Sequence, residues 1–519
     1  MESPSMNYSS VSAVKKQGRL LFDGNTVEKA ENCRLKFFSA VKDPASPFIT
    51  KTEDWEGVGP YTWCSRLFFI DGTYRLYYMA YDEKVNHYRT GIAESADGLT
   101  WTKPRKAKKE YNGKTIDVSL DTPELPVPCH PWRAVAIDKR PTCPESERFK
   151  GYSFSYQGGR IFLSPDGYIW REYKDSPVWS GTSDIVHMMH DENTGKFLSY
   201  YKLWRVCGVT AENDPKEVSA LFTTFDVKDL PDGTVEISGP QVTHVSDGAD
   251  IICQKTYHLQ SGNLSANDGG GGHLSGKWHS RRVVCRSECE DFFSWKNGKV
   301  VLETDSADRP DSNIQIAQIF FMGGYYVAFL TIHDQRGFFE QQFAFSSDGI
   351  KWHRPWRGNL ISRGAKGEFD SGMVTQPVDP IILGSQMLLY YGGTPADHTQ
   401  VNDFSIGRAI LRKDGFAAWD SPGDEARLKT VPLEAKNGSL ELNINAEGGF
   451  ATAALFDEDG TPVPSCTHEN CIPLTENSVA YPDCYIPVRW KGTESPISVG
   501  KKYSVEIKFK DAELYSVLI

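Results

Sequence analysis

Short apolar runs, each cut off by a polar turn, recur through most of this chain. Arg66-Leu67-Phe68-Phe69-Ile70 stops at Asp71-Gly72 and restarts as Tyr74-Arg75-Leu76-Tyr77-Tyr78-Met79-Ala80. Residues 134–137 answer 149–154 across a Pro-rich connection, and 185–189 answer 197–201 across Glu192-Asn193-Thr194-Gly195. Residues 314–321 turn at Gly323-Gly324 into 325–330, and 380–383 turn at Gly384-Ser385 into 387–391. Runs that are apolar throughout, rather than at every second position, predict strands buried on both faces. Each pair reads as a hairpin, and no helix of note is expected.

A second signal follows each hairpin. Ser95-Ala96-Asp97-Gly98-Leu99-Thr100-Trp101 returns as Ser164-Pro165-Asp166-Gly167-Tyr168-Ile169-Trp170 and as Ser346-Ser347-Asp348-Gly349-Ile350-Lys351-Trp352. Looser copies are Asp291-Phe292-Phe293-Ser294-Trp295 and Asp414-Gly415-Phe416-Ala417-Ala418-Trp419. Asp-Gly makes a tight turn with positive φ at Gly, and the returning strand packs the aromatic. Hairpin plus Asp-Gly hairpin gives four strands per unit. Five units at a period of about 60 residues suit propeller blades better than solenoid turns.

The expected fold is therefore all-β: a five-bladed β-propeller over residues 51–420, followed by a small antiparallel β-sandwich. Residues 1–50 form a lead-in that closes the propeller, and one of its strands, 18–22 or 34–38, completes the last blade. The interval between the second and third Asp-Gly copies is about twice the others, which leaves residues 205–280 as an insertion or a hidden sixth blade. The insertion is preferred, because no further Asp-Gly-x-x-Trp string lies there. Its Gly269-Gly270-Gly271-Gly272 run lacks the Lys-Ser/Thr of a phosphate loop and reads as a flexible loop at a site rim. After Trp419 the texture changes: Leu440-Glu441-Leu442-Asn443-Ile444 and residues 503–509 alternate with period two, as strands with one wet face do. Residues 425–519 are thus the sandwich, which binds glycan or braces the ring.

Composition narrows the function. A net charge of -11 with no basic tract argues against nucleic acid. No apolar run is long enough to span a bilayer. Residues 1–6 lack the basic start and apolar core of a signal peptide, so the expectation is a cytoplasmic protein as encoded, or a secreted one if the sequence has been trimmed. The 11 cysteines show no zinc spacing and read as buried thiols.

A propeller gathers the starts of its innermost strands around one axis. Those positions hold Asp54-Trp55-Glu56 in the first unit, His130-Pro131-Trp132-Arg133 in the second, Asp184 in the third, Asp308 and Asp311 in the fourth, and Glu368-Phe369-Asp370 in the fifth. Four of five units thus offer a carboxylate at the same repeat position. Crowded carboxylates push their pKa values apart, as glycosidic cleavage requires: one protonates the leaving oxygen, another activates water or attacks carbon. The candidate catalytic residues are Glu56, Asp184, Asp370 and Asp311. Trp55, Trp132 and Trp204 offer faces for sugar rings. Arg133 and Arg205 suit hydroxyls or an acidic sugar, and His130 and His187 complete the candidate binding set.

The S-x-D-G-x-x-W hairpins resemble those of the five-bladed glycoside hydrolase superfamily, which includes the arabinanase/xylosidase (family 43) and invertase/levanase (family 32) groups. Gly367-Glu368-Phe369-Asp370-Ser371-Gly372, Ile406-Gly407-Arg408-Ala409 and Asp414-Gly415-Phe416 are similar to a bacterial branch with a C-terminal β-sandwich. The resemblance implies a glycosidase with an Asp base or nucleophile, an Asp modulator and a Glu acid. Glu56, Asp184 and Asp370 occupy the matching positions, although the usual Asp-Pro before the first strand is missing. The expected substrate is an oligosaccharide or polysaccharide, attacked from its end. No cofactor is expected, with an axial calcium allowed for, since related propellers sometimes hold one. Phosphorolysis, which needs Arg133, His130 and Arg205 to converge, elimination from a uronic acid, and a non-catalytic sugar-binding propeller are the alternatives.

Overall fold

The computed structural model describes residues 8–10, 16–84, 87–123, 129–155, 157–211, 214–243, 251–260, 278–334, 336–398, 400, 402–492 and 496–519. The chain is all-β; among the described residues its helical segments are three single 3₁₀ turns, Asp54–Glu56, Glu145–Glu147 and Ser478–Ala480. Five antiparallel meanders follow one another. The first is Tyr61–Ile70, Thr73–Asp82 and His87–Ser95, with Thr102 bridged to Glu94 as a fourth strand. The second is Cys129–Ile137, Phe149–Ser155, Gly158–Ser164 and Arg171–Glu172. The third is Val186–Asp191, Lys196–Ala211, His279–Cys289 and Lys299–Leu302. The fourth is Ser312–Met322, Tyr325–Asp334 and Phe339–Ser346, with His353 bridged to Phe345. The fifth is Ile381–Leu383, Gln386–Thr394, Ser405–Arg412 and Val41–Lys42.

Burial on both faces explains why these strands read as unbroken apolar runs. Along Tyr325–Asp334, Tyr325, Val327 and Phe329 pack against the fifth meander, while Tyr326, Ala328 and Leu330 pack against the third. The same division repeats at every seam. Phe68, Tyr77 and Ile92 meet Val135, Phe149 and Phe162 between the first and second meanders. Tyr152 and Ile161 meet Val186 and Phe197 between the second and third. Leu67, Leu76 and Tyr78 meet Ile381, Leu388 and Tyr390, so the fifth meander packs on the first and the circuit closes.

The Asp-Gly turns share one hydrogen-bond pattern. Asp97 Oδ1 accepts from the backbone N–H groups of Leu99 and Thr100, both at 2.8 Å, and Ser95 Oγ accepts from Gly98 N at 2.9 Å. Asp348 and Asp166 repeat it. The looser copy keeps it too: Asp291 takes Phe293 N and Ser294 N, and Phe292 adopts the φ of +72° that Gly98, Gly167 and Gly349 adopt elsewhere. The fifth copy differs. Asp414 is fully buried and accepts from Tyr485 and Ser516 hydroxyls, and Ala417–Asp420 leaves the ring to pair with Arg34–Phe37 and Glu513–Leu518.

The lead-in also departs from expectation. Arg19–Leu20 and Arg34–Phe37 join one sandwich sheet, and Val27–Glu31 joins the other. The strand that completes the last meander is instead the short Val41–Lys42, after which Ile49 bridges Ile406. The reason is amphipathicity: Val27–Glu31 is buried at its first residue and mostly exposed beyond it, which fits a sandwich sheet with one wet face and not a seam. The sandwich sheets share a core of Leu428, Leu442, Ala453, Val505, Ile507 and Leu514. The strands of the long third interval belong to the same sheet as the third meander. Lys196–Ala211 runs on past its blade and carries Asp214–Phe222, Thr234–Thr243 and Ile251–Gln260, packed around Val209, Phe222 and Ile237. No helix among the described residues is long and apolar enough to cross a membrane.

Two outcomes test the turn and seam physics. A Cβ on Gly349 would sit 2.6 Å from the Tyr200 hydroxyl at a φ of +70°. Gly349→Ala is therefore expected to destabilise by about 1–3 kcal/mol, read by denaturant unfolding; an unchanged midpoint contradicts the turn geometry. The Thr100 and Leu99 N–H groups hold the Asp97 carboxyl down to about 2. Its stabilisation is thus present above the unfolded carboxylate range and lost as pH falls through about 2. The melting gap between wild type and Asp97→Asn should close from pH 4 towards 2; a pH-independent gap contradicts it.

Candidate active site

Three of the carboxylates ahead of the meanders, Glu56, Asp370 and Asp308, are held in ion pairs. Glu56, fully buried, binds Lys103 Nζ at 2.6 and 2.8 Å, and accepts from the Tyr78 hydroxyl at 2.6 Å and from the N–H groups of Thr52 and Glu53. Asp370 binds Lys42 Nζ at 2.6 Å and accepts from the Tyr391 hydroxyl at 2.9 Å. Asp308 holds Arg354 through two bonds of 2.7 Å. The pattern is one pattern. Lys103, Lys42 and Arg354 lie at or beside the outermost strand of the first, fifth and fourth meanders, and each clamps the segment that leads into that same meander. Tyr78 and Tyr391 sit on second strands and face seams, so Glu56 and Asp370 lie off the axis, in two different seams. Burial first, then the neighbouring carboxylate, pushes the hydroxyls of Tyr78 and Tyr391 upward.

The axis itself is built from the innermost strands, three of which are irregular at the same end. Pairing skips between Tyr61 and Arg66, between His130 and Ala134, and between Ile314 and Ile316. Such bulges re-aim side chains and are common beside active sites. Cys64 takes a φ of +53° in the first of them. Cys64, Ile185 and Ile316 meet as an apolar floor. Below it, Arg66 reaches across three meanders. It donates to Asp379 from Nε and Nη2 at 2.9 and 3.0 Å and to the Met188 carbonyl from Nη1, while Gln318 Nε2 also donates to Asp379. His187 is buried at this level, its Nε2–H donating to the Ile319 carbonyl at 2.8 Å. Burial and then the Arg66 charge hold its pKa well below the ordinary imidazole value. No group of three or more metal-binding side chains lies among the described residues. The far end of the axis opens into a cavity of about 340 Å³ between the ring, residues 17–19 and Lys436.

Above the floor the strand starts form a mouth. Asp184, with 32% of its side chain exposed, pairs with Lys202 Nζ at 2.7 Å and accepts from Ser183 Oγ. Lys202 and Arg282 lie over the Trp204 ring at 5.6 and 4.8 Å. Arg282 Nη1 donates to His333 Nδ1, and its backbone N–H donates to Asn313 Oδ1 at 2.9 Å. Rings continue the circuit: His333 to His398 at 5.0 Å, His398 to Trp63 at 5.8 Å, and Trp63 to Phe339 at 6.0 Å. Burial, then the Arg282 and His398 charges, hold the His333 pKa well below the ordinary value.

Of the residues the sequence singled out, Asp184 stands in the mouth. Asp311 lies one residue before the innermost strand of the next meander and pairs with Arg309 at 2.8 Å. Trp55 is core between the fifth and first meanders, and Arg205 closes on Glu303 at 2.9 Å. Trp204 is at the mouth, whereas His187 is under the floor. The side chains of His130, Trp132 and Arg133 and the glycine run at 269–272 lie outside the described residues. Sequence reasoning missed Trp63, Lys202, Arg282 and His333. One signal was available: Lys202 and Arg282 are cations inside otherwise apolar strands, at 198–204 and 281–285, where an unpaired charge is not tolerated.

No family model and no curated protein matches this chain. Several of the solved structures similar to it are described as glycoside hydrolases. One described as a glycoside hydrolase is 12% identical, with a TM-score of 0.41 over 71% of this chain and 92% of that one. A Bombyx mori GH32 beta-fructofuranosidase is 9% identical, with a TM-score of 0.32 over 93% of this chain and 94% of that one. A GH62 hydrolase in complex with xylotriose is 10% identical, with a TM-score of 0.34 over 72% and 98%.

The seam clamps predict a stability phenotype. Lys103→Met strands the buried Glu56 charge and should cost about 3–5 kcal/mol, most of it recovered in the double variant with Glu56→Gln. Thermal denaturation of the three proteins checks this; a Lys103→Met protein as stable as wild type contradicts the clamp.

Proposed function

We propose that this chain is a glycoside hydrolase-like enzyme that admits the end of an oligosaccharide or polysaccharide to the axial mouth and cleaves a terminal residue. The observation that carries the reading is the meeting of a partly exposed carboxylate, Asp184, with the aromatic and polar circuit of Trp204, Arg282, His333, His398 and Trp63. Aromatic rings offer faces to the C–H side of sugars, and the polar groups between them suit hydroxyls. Asp184 and Asp311, at adjacent innermost strand starts, are the two carboxylates for the bond chemistry. One gives its proton to the leaving oxygen; the other takes a proton from the attacking water or attacks carbon itself. Glu56 and Asp370 act as braces, since each is already bound by a lysine and a tyrosine hydroxyl. End-on attack is favoured by the strands carried on Lys196–Ala211, which extend beyond the third meander next to Trp204 and Phe225.

A panel of aryl glycosides and natural oligosaccharides, run with and without phosphate, tests this. Asp184→Asn should lower turnover by about 10²–10⁴-fold with the fold intact, and Asp311→Asn should lower it as well. Glu56→Gln should lower the melting temperature and leave turnover per folded molecule within a few-fold. Wild-type turnover in both aspartate variants, an unsaturated product, or strict dependence on phosphate would each overturn the hydrolase reading.

A further inference from the structure

The cavity of about 340 Å³ at the far end of the axis takes no part in the chemistry of the mouth. Arg66 and Asp379 line it, below the floor of Cys64, Ile185 and Ile316 on which the mouth stands. The closing ends of four innermost strands face it, and residues 17–19 and Lys436 face those ends from the sandwich side. We propose that this cavity is a second binding site, for a small monocarboxylate with an apolar body, whose carboxylate is bound by the Arg19 guanidinium with Lys436 as the second cation.

Charge decides the sign and number. Four cations line the cavity, Arg19, Arg66, Lys139 and Lys436, against three carboxylates, Asp191, Glu192 and Asp379. Arg66 is paired with Asp379 and Lys139 with Glu192. Asp191 accepts from the Tyr326 and Thr194 hydroxyls at 2.7 and 2.6 Å. Arg19 and Lys436 form no ion pair among the described residues. Burial pushes the pKa of His190, in the same wall, below the ordinary imidazole value, so it adds no charge at neutral pH. A single negative charge therefore neutralises the lining. A guanidinium takes a carboxylate through two parallel N–H bonds.

The cations are held in place by the docking of ring and sandwich. Arg19 pairs with Val517, and the next N–H, of Leu20, donates to the Gly323 carbonyl at 2.9 Å. Gly323 and Gly324 turn with φ of +59° and +93°, and the bare turn makes room for the guanidinium: a Cβ on Gly324 would stand 2.5 Å from Arg19 Nη1. The Lys436 backbone N–H donates to the Ile519 carbonyl at 2.8 Å. The wall facing these cations is apolar: Phe68, Ile137, Met189, Phe320 and Met322 line the cavity. Pockets of about 300 Å³ and more that are mostly apolar, with a few polar groups to fix orientation, suit small organic ligands. An apolar body displaces water from this wall; a bare ion leaves it wet, a sugar offers it hydroxyls, and an ammonium repels Arg19.

Calorimetric titration of the full-length protein tests this. Benzoate, phenylacetate and hexanoate are the probes; acetate, glucuronate, inorganic phosphate, benzamide and benzylamine are the comparisons. At least one probe should bind saturably and about ten-fold tighter than any comparison. Arg19→Gln and Lys436→Gln should each weaken that probe by about ten-fold, and Arg19→Lys, which keeps the charge, by less than Arg19→Gln. Both glutamine variants should unfold near the wild-type midpoint, since neither cation has an ion pair to lose. Probe binding that is unchanged in both variants lies elsewhere on the molecule and overturns the site. Acetate, phosphate or glucuronate binding as tightly as the probes overturns the apolar body, and benzamide or benzylamine doing so overturns the carboxylate. No saturable binding of any probe overturns the proposal outright and leaves the reading of the mouth as it stands.

Discussion

Each central strand of the ring is buried on two faces at once, and the rest of the molecule is arranged around that constraint. A residue such as Tyr326 serves one seam while its neighbour Val327 serves the next, so no strand can be repacked without disturbing two interfaces. Charge is admitted to the seams only in closed pairs. This is why Glu56, Asp370 and Asp308 are each held by a cation from the outermost strand of their own meander. The clamp ties the first residues of a meander to its last strand, a role that the side-chain hydrogen bonds of the Asp-Gly turn cannot perform alone.

The axis obeys a different rule. Near the middle it is filled by Arg66, Asp379, Gln318 and His187: Arg66 and Gln318 donate to Asp379, and His187 donates to the Ile319 carbonyl. Near the strand starts the pairing breaks, and the bulges turn side chains away from the seams. The two environments lie within one ring and use similar residue types; what separates them is strand register, unbroken along the seams and interrupted at the starts of three inner strands.

Much of the fold was legible in the sequence because its cause is local. Unbroken apolar runs announced two-sided burial, and the Asp-Gly strings announced turns whose hydrogen bonds lie within a few residues. The repeat phase was legible too, and it located Glu56, Asp308 and Asp370 at equivalent places. What it could not convey is that this place is a seam. The partner that decides it, Lys103 or Arg354, stands two residues after the repeat Trp, and Lys42 lies more than three hundred residues from Asp370. The bulges were equally hidden, since they depend on register across a hairpin, and with them Gln315 and Trp63. Ala417–Asp420 and the lead-in strands misled for a related reason: a strand's sheet is chosen by the face it must bury, and Arg34–Phe37, with charged residues at every second position, carries a wet face.

The central claim is that glycan binds at the bulged ends of the inner strands, next to Asp184, and not at the repeat carboxylates Glu56 and Asp370 that are held in ion pairs. A crystal structure of the Asp184→Asn protein soaked with a glycan it binds tests this directly. The account predicts the sugar ring against Trp63 and His333 with its scissile end towards Asp184. Sugar seated against Glu56 or Asp370, or in the cavity between the ring and Lys436, would contradict it.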